Sequence, residues 1–247
     1  MKTYGIIGYP LDHSFSQRYF TEKFEREGIV DSEYKVFPIK EISALRTILD
    51  DNPMLAGLNV TIPYKQSVLE FLDDVSHLPK DLNACNCIKI TDGELIGFNT
   101  DIIGFENSLV PLLKPHHKKA LILGHGGAAQ AIQFVLRKLK IACSMVSRHL
   151  YADSQFTYAD LDKATIDDHL LIINTTPLGT FPDVTSFPTI PYQFLTHQHL
   201  LYDLVYNPEK TEFLRKGEEH KATIRNGYEM LVLQAEESWR IWNDPEN

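Results

Sequence analysis

The sequence predicts an α/β protein, because short apolar runs with strand character alternate with helix-length amphipathic segments along most of the chain. A second observation divides the chain. The apolar run at 120–123 is followed at once by glycines and an amphipathic segment, so a new strand–turn–helix unit begins there. With 247 residues the chain is long enough for one large or two modest domains. We therefore expect two α/β domains with a boundary near Asp101.

Five strands are predicted in the first hundred residues, near 4–8, 34–37, 57–60, 84–90 and 94–97. Helices are expected to follow Ser16, Ile42 and Lys65. The last two strands should be joined by a tight hairpin turn at 91–93, because Asp92-Gly93 supplies the positive φ that such turns require.

The second part of the chain is predicted to contain helices at 102–113 and 130–139 and strands at 120–123, 142–146, 170–174 and 200–204. The last helix, at 228–242, carries large apolar side chains on much of its surface. We therefore expect it to be docked against a core.

The charge balance and the cysteines exclude several classes of protein. A formal charge of −9 argues against binding to nucleic acid or to an anionic membrane. No run approaches the roughly 20 apolar residues of a membrane span, and residues 1–5 show no signal-peptide pattern, so we expect a cytoplasmic protein. The three cysteines have no Cys-x-x-Cys pair and are interpreted as core residues. The histidines at 116–117 and 197–199 are interpreted as surface residues, and no metal site is predicted.

A glycine-rich turn at 124–129, with the sequence Gly-His-Gly-Gly-Ala-Ala, lies between a predicted strand and a predicted helix and fits the pattern G-x-G-x-x-A. Gly124 would permit the tight turn, Gly126 would let a diphosphate approach the backbone, and Ala129 would allow close packing of helix on strand. The free N–H groups of the helix start would then hold the diphosphate. The candidate cofactor residues here are Gly124, His125, Gly126, Gly127 and Ala128. A glycine turn without a ligand is the alternative.

The end of the next strand bears on which dinucleotide would bind. An acid about 20 residues beyond the glycines would bind an adenosine ribose and repel a 2′-phosphate, but this chain has Ser147-Arg148-His149 there. The guanidinium of Arg148 suits a phosphate, so NADP is favoured over NAD. A solvated surface arginine is the alternative.

Polar groups are also concentrated at 59–65, with the sequence Asn-Val-Thr-Ile-Pro-Tyr-Lys, where a strand is predicted to end and a helix to begin. Open α/β folds place their binding crevices at such strand ends. Pro63 is expected in the first helical turn, with Lys65 projecting from that turn. Asp101 follows the predicted hairpin. On composition alone, Lys65 would be a surface lysine and Asp101 a helix N-cap.

At this point the sequence closely resembles the shikimate dehydrogenases, through motifs in the same order along nearly the whole chain. The matching segments are Ser-x-Ser at 14–16, Asn-Val-Thr-x-Pro-x-Lys at 59–65, the asparagine at 86, Gly-x-Asn-Thr-Asp at 97–101, the glycine turn at 124–129, Asn-x-Thr-Pro-x-Gly at 174–179, and the segments 203–208 and 227–234. One such match would be weak evidence, whereas eight in order are strong.

The resemblance implies an N-terminal α/β substrate domain, at 1–101 and completed by a returning C-terminal helix at 226–247, and a Rossmann-type doubly wound NADP domain at 102–225. It implies that Lys65 and Asp101 are the catalytic pair. The implied substrate residues are Ser14, Ser16, Asn59, Thr61, Asn86, Tyr206 and Gln234. The implied cofactor residues beyond the glycine turn are Ser147, Arg148, Thr175, Gly227 and Met230.

The implied activity is the NADP-dependent, reversible reduction of 3-dehydroshikimate to shikimate, a step of aromatic amino-acid biosynthesis, with a small-molecule substrate and a monomer or homodimer as the assembly. Two alternatives are an NAD-linked quinate/shikimate dehydrogenase and a non-catalytic module that senses the cyclitol. A sensing module should lack the proton-transfer pair, and both Lys65 and Asp101 are present.

The chain also departs from the family pattern at three places. Cys87 replaces a usual Thr or Ser, Gln17 replaces a common Pro, and 147–149 replaces Asn-Arg-Thr. The last change removes a phosphate-binding hydroxyl at position 149. Of the expectations that come from the family resemblance, the preference for NADP therefore has the weakest support in the sequence.

Overall fold

The computed structural model describes residues 1–11, 14–150 and 154–244, which form two compact units. Unit 1 comprises Met1–Ile103 and Gln234–Asn247, and unit 2 comprises Gly104–Leu233. The boundaries fall inside two helices, α3 (Thr100–Leu109) and α7 (Tyr228–Asn243). The boundaries expected after residues 101 and 225 lie two and eight residues earlier in the chain than the boundaries of the two units, which follow Ile103 and Leu233.

Unit 1 is built on a five-stranded mixed sheet. In chain order its elements are β1 (Lys2–Gly8), α1 (Phe15–Glu27), β2 (Ser32–Pro38), α2 (Leu45–Asp51), β3 (Leu55–Val60), β4 (Cys87–Thr91) and β5 (Glu94–Phe98). The sheet order is β2-β1-β3-β4-β5. β1, β2 and β3 are parallel, whereas β4 runs antiparallel to both of its neighbours. β2 lies on one side of β1 and β3 lies on the other, so the direction of winding changes between β1 and β3. A crevice is therefore expected at the carboxyl ends of these two strands.

The predicted hairpin between β4 and β5 is confirmed. Thr91 pairs with Glu94, and the two residues between them have φ of 53° at Asp92 and 86° at Gly93. Both angles lie in the left-handed region that a two-residue hairpin turn requires.

The expectation that Pro63 and Lys65 lie in the first turn of a helix is wrong. Pro63 lies in a turn after a cis Ile62-Pro63 peptide bond, closed by the Tyr64 N–H donating to Thr61 O at 2.9 Å. The only helical structure there is a short 3₁₀ segment, Ser67–Phe71, which begins after Lys65. Lys65 is therefore presented by a turn.

The predicted docking of the last helix is confirmed by a buried aromatic cluster in unit 1. Trp239 and Trp242 of α7 pack with Tyr4, Phe20 and Tyr34. The indole of Trp242 also donates to Ile88 O at 2.9 Å, and a side chain at Gly57 would collide with that indole. The C-terminal part of α7 thus completes the core of the N-terminal sheet.

Unit 2 is built on a six-stranded parallel sheet. After α3, its elements are β6 (Lys119–Leu123), α4 (Gly127–Lys138), β7 (Ala142–Ser147), β8 (Phe156–Thr157), α5 (Lys163–Asp168), β9 (Leu171–Asn174), β10 (Leu200–Asp203), α6 (Glu212–Glu219) and β11 (Thr223–Arg225), followed by α7. The sheet order is β11-β10-β9-β6-β7-β8, with all strands parallel. This is the Rossmann order, in which the direction of winding reverses between β6 and β9.

The interpretation of the histidines at 116–117 and 197–199 as surface residues is wrong for His117 and His199. His117 and His199 are buried, and each ring closes a turn before a strand of unit 2. The Nδ1 atom of His117 accepts the Lys114 N–H at 3.1 Å, and that of His199 accepts the Thr196 N–H at 3.0 Å. Each Nε2 then faces a backbone carbonyl, at 3.1 Å in both cases. Burial is the main cause that lowers the pKa of both imidazoles, and these contacts require the neutral ring.

Candidate active site

Lys65 and Asp101 lie together in unit 1, where the Lys65 Nζ atom is 2.6 Å from Asp101 Oδ2. Their side chains are only 17% and 9% exposed. The Lys65 carbonyl accepts the Cys85 N–H at 2.7 Å, which fixes the backbone beneath the ammonium group. A solvated surface lysine is therefore excluded.

Asp101 is not the N-cap of α3 either, because the Asn99 side chain takes that position. Asn99 Oδ1 accepts the Ile102 N–H at 3.4 Å, and its amide donates to Ala84 O at 2.8 Å. The Asp101 carboxylate lies in the first turn of α3, where the positive end of the helix dipole favours an anion. The Asp101 carboxylate is paired with the Lys65 ammonium group there and does not cap the helix.

Thr100, next to Asp101, organises two of the predicted substrate residues. Its N–H donates to Asn86 Oδ1 at 2.6 Å, and its hydroxyl receives the Asn86 amide at 3.1 Å. The same hydroxyl is 3.3 Å from Gln234 Oε1, on α7. Asn86, Thr100 and Gln234 are all buried, so the amide groups expected to contact substrate are ordered by protein contacts beside the ion pair.

The remaining predicted substrate residues of unit 1 lie near the carboxyl ends of β1 and β3. Ser14 is the N-cap of α1 and accepts the Gln17 N–H at 3.4 Å, while Ser16 is buried in the first turn. The Thr61 N–H donates to Ile7 O at 3.0 Å, and Gly8 leaves space for the Thr61 methyl group. Short hydroxyl side chains therefore gather at the expected crevice of this sheet.

The glycine-rich turn of unit 2 lies at the point where the winding of the sheet reverses. Gly124 has φ of 120°, and a side chain there would collide with Thr175. Thr175 in turn donates its hydroxyl to Leu123 O at 2.8 Å. Gly126 is the N-cap of α4 without a side-chain cap, and a Cβ at Gly126 would meet nothing within 4 Å. Open backbone at an uncapped helix start is what a bound diphosphate requires.

The other predicted cofactor and substrate residues of unit 2 follow its strands. Arg148 is exposed immediately after β7, and Ser147 is buried at the end of that strand, where its hydroxyl donates to His149 O. Gly227 packs directly on the backbone of Leu204, and its N–H donates to Val205 O at 3.1 Å. This contact places Gly227 against the segment that carries Tyr206, and Met230 lies buried in the first turn of α7.

Asp203 is a buried carboxyl of unit 2 for which the sequence motifs suggested no role. Its oxygens accept the Asn174 amide at 2.9 Å, the Thr211 hydroxyl at 2.5 Å and the Val205 N–H at 3.0 Å. Burial raises the pKa of this carboxyl to about 6. Asp203 thus ties together the ends of β9 and β10 and the start of α6.

Three residues that organise the site were missed as candidates: Tyr34, Thr100 and Ser238. Thr100 lay inside a quoted motif and Ser238 lies one helical turn after Gln234, so spacing offered a signal for both. Tyr34 is a single residue on β2 and had no local signal.

Among the residues that the structure describes, no group of three or more His, Cys, Asp or Glu could hold a metal ion. No helix in the same described ranges is long and apolar enough to cross a membrane.

The fold and the site together define the class of protein: an oxidoreductase with a Rossmann-type dinucleotide-binding unit and a separate α/β unit that carries a lysine–aspartate pair. A family model described as the shikimate dehydrogenase substrate binding domain matches residues 6–88. The chain belongs to the shikimate dehydrogenase family.

Individual relatives agree with this assignment. The shikimate dehydrogenase (NADP(+)) of Methanococcus vannielii is 33% identical over 96% of this chain and 90% of its own length. The enzyme of the same name from Clostridium beijerinckii is 34% identical over 99% of this chain and 93% of its own length. A crystal structure of shikimate 5-dehydrogenase from Thermus thermophilus in complex with NADP(H) and shikimate superposes with a TM-score of 0.86, at 27% identity, over 98% of this chain and 94% of that chain.

Proposed function

We propose that this protein catalyses the reversible, NADP-dependent reduction of 3-dehydroshikimate to shikimate. The observation that carries the proposal is the pair of Lys65 and Asp101, held at 2.6 Å among buried amide and hydroxyl side chains of unit 1. Membership of the family and the activity named for its relatives support the same reaction.

The reaction needs a hydride at carbon and a proton at oxygen. NADPH, when bound, supplies the hydride. Lys65 supplies the proton to the developing alkoxide of the substrate through its ammonium group and takes a proton back when shikimate is oxidised. Asp101 holds the ammonium in place through the 2.6 Å contact and compensates its charge in a site that is largely closed to solvent.

The polar groups of unit 1 suit a ring that carries a carboxylate and several hydroxyls. We assign the substrate carboxylate to the hydroxyls of Ser14 and Ser16, because these side chains lie at the start of α1, where the helix dipole favours an anion. The ring hydroxyls are assigned to the hydroxyl and amide groups of Thr61, Asn59, Asn86 and Gln234, which both donate and accept. The role of Tyr206 as a further substrate residue stays a prediction.

The residues of unit 2 fit a dinucleotide with a 2′-phosphate. The uncapped start of α4 at Gly126 offers backbone donors and open space to the diphosphate. Arg148 and Ser147 at the end of β7 offer a guanidinium and a hydroxyl to the phosphate, and no carboxylate stands between 147 and 149 to repel it. The roles of His125, Gly127, Ala128, Thr175, Gly227 and Met230 stay predictions of the family resemblance.

The paired lysine and aspartate favour a working enzyme over a sensing module, since binding a cyclitol requires no proton transfer. The expectations of a cytoplasmic location and of a monomer or homodimer stay predictions.

The test is the change in absorbance of the nicotinamide when the purified protein is mixed with shikimate. We expect the protein to oxidise shikimate with NADP, to oxidise it more slowly with NAD, and to show weak or no activity with quinate. Quinate oxidation with NAD at the higher kcat/KM would assign the protein to the NAD-linked alternative. Shikimate binding without turnover by either cofactor would indicate the sensing module.

A further inference from the structure

Tyr34 is a buried tyrosine on β2 whose hydroxyl bonds one of the proposed substrate residues, Asn59. Its ring stacks on Phe20 at 4.6 Å between centroids and lies beside Trp242. The hydroxyl donates to Asn59 Oδ1 at 2.7 Å. Burial raises the pKa of this phenol well above its ordinary value, so the hydroxyl keeps its proton and remains a donor.

The bond from Tyr34 is one of three contacts that hold the Asn59 amide in a single orientation. With Oδ1 turned to Tyr34, the Nδ2 group donates to Ser238 Oγ at 3.0 Å and lies 3.5 Å from Asn86 O. The Ser238 hydroxyl donates to Gln234 O at 2.9 Å, so its oxygen is the acceptor toward Asn59. If the amide turned over, its oxygen would face the Ser238 oxygen and its NH₂ group the Tyr34 hydroxyl, so both hydroxyls would have to reorient.

The chain of contacts continues from Ser238 to the residues beside the ion pair. Ser238 Oγ is 3.2 Å from Thr100 Oγ1, and both side chains are fully buried. Thr100 in turn bonds Asn86 and Gln234. One connected set of polar side chains therefore runs from β2 to the first turn of α3. We call its members Tyr34, Asn59, Asn86, Thr100, Gln234 and Ser238 the buried polar network.

We propose that Tyr34 is a positioning residue for shikimate, which holds the orientation of Asn59 directly and supports that of Asn86 and Gln234 through Ser238 and Thr100. This inference rests on the proposed function, because it assigns the network to the substrate half of that site. All members of the network belong to unit 1, whereas the proposed dinucleotide residues belong to unit 2. Loss of the Tyr34 hydroxyl should therefore weaken shikimate binding and leave NADP binding unchanged.

The test is Tyr34→Phe, which removes only the hydroxyl and leaves the ring in the aromatic cluster. Tyr4→Phe is the matched control. Tyr4 is a fully buried member of the same cluster on β1, and its hydroxyl bonds Asn243 at 3.4 Å, outside the network. We expect Tyr34→Phe to raise the KM for shikimate about tenfold, the effect of orphaning a buried acceptor, with no change in the KM for NADP. Tyr4→Phe should change neither constant.

Ser238→Ala interrupts the same network at its centre and provides an independent measurement if Tyr34→Phe folds poorly. Folding is checked by the fluorescence of the two tryptophans of the chain, since Trp242 is buried in the core of unit 1 and Trp239 packs against that core. We expect Ser238→Ala also to raise the KM for shikimate alone. The KM for shikimate of the double variant should rise by less than the product of the two single increases, because the two residues belong to one chain of contacts.

The inference is overturned if Tyr34→Phe or Ser238→Ala binds shikimate as Tyr4→Phe does, if both variants raise the two KM values equally, or if the double variant shows the full product. Those outcomes leave the proposed function intact, since the wild type and Tyr4→Phe would still oxidise shikimate. A wild type that oxidises no shikimate would overturn the proposed function, and this inference with it.

Discussion

The candidate sites of the two units are built by different physical means. In unit 1 the candidate groups are side chains that bond one another, as in the contact of Lys65 with Asp101 and of Asn86 with Thr100. In unit 2 the candidate groups are the backbone N–H groups of the glycine turn. Their exposure depends on the open space at Gly126 and on the positive φ at Gly124. Side-chain deletions should therefore be most informative in unit 1, and side-chain additions in unit 2.

The largest effect is expected from Lys65→Ala in unit 1. Losing the general acid–base should lower kcat by about 10²-fold or more, with a much smaller change in the dissociation constant of shikimate. Lys138→Ala is the control, because Lys138 forms a 2.6 Å salt bridge with Glu106 that is exposed on the lysine side. Steady-state kinetics and a shikimate titration measure both quantities, and near-normal turnover in Lys65→Ala would contradict the assigned role.

The corresponding change in unit 2 adds an atom instead of removing one. Gly126→Ala places a methyl group in open space, so the fold should be unaffected, but the methyl would occupy the approach of the diphosphate. We expect the KM for NADP to rise about tenfold or more and the Tm to stay within a few degrees. Unchanged cofactor affinity would remove Gly126 from the cofactor site.

Arg148→Ala tests whether Arg148 determines the preference for NADP over NAD. Removing the guanidinium should raise the KM for NADP about tenfold while changing the KM for NAD little, because only NADP carries the 2′-phosphate. Arg137→Ala, on α4 of the same unit, is a control for the loss of one positive charge. An equal effect of Arg148→Ala on both cofactors would show that the arginine does not discriminate between them.

A smaller effect concerns the pH dependence of stability in unit 2. His117 and His199 have folded pKa values below the ordinary 6.5, so the unfolded chain takes up protons at higher pH than the folded one. Their contribution to stability is fully present above about pH 6.5, and it is lost progressively below that pH as the pH falls through the folded pKa values. Asp203 acts in the opposite sense: its raised pKa favours the folded state at low pH, and that contribution is lost as the pH rises through about 6.

Thermal unfolding followed by circular dichroism at about pH 7.5 and about pH 5.5 tests this balance. We expect a lower Tm at the acidic pH, and a smaller difference in a His117→Gln, His199→Gln double variant. A wild type whose Tm rises on acidification would show that Asp203, and not the histidines, dominates.

Local patterns were enough to predict the fold class, most strands, the hairpin at Asp92-Gly93 and the glycine turn, since each depends on neighbouring residues. The short elements β8, α5 and β11 escaped prediction because such short runs carry little periodicity. The eight-residue helix α6 was missed although its apolar residues Phe213 and Leu214 are buried on one face. The turn at Pro63 was taken for a helix start because proline suits both positions.

The candidate site was predictable only where a motif kept its residues together. Lys65 and Asp101 stand in two such motifs, although the 2.6 Å contact between them could not be read from spacing. The bonds that link Tyr34 to Asn59 and Asn59 to Ser238 join residues 25 and 179 positions apart, so they exist only through the tertiary fold. The burial of His117 and His199 was missed for the same reason.

The central claim is that Lys65 and Asp101 act as one unit in the chemical step, and a double-mutant cycle on kcat tests it most directly. Lys65→Ala, Asp101→Ala and the double variant are compared with the wild type at saturating shikimate and NADP. The account predicts that both single variants lower kcat strongly and that the double variant loses much less than the product of the two losses. Multiplicative losses would contradict it, because they would mean that the two residues contribute independently.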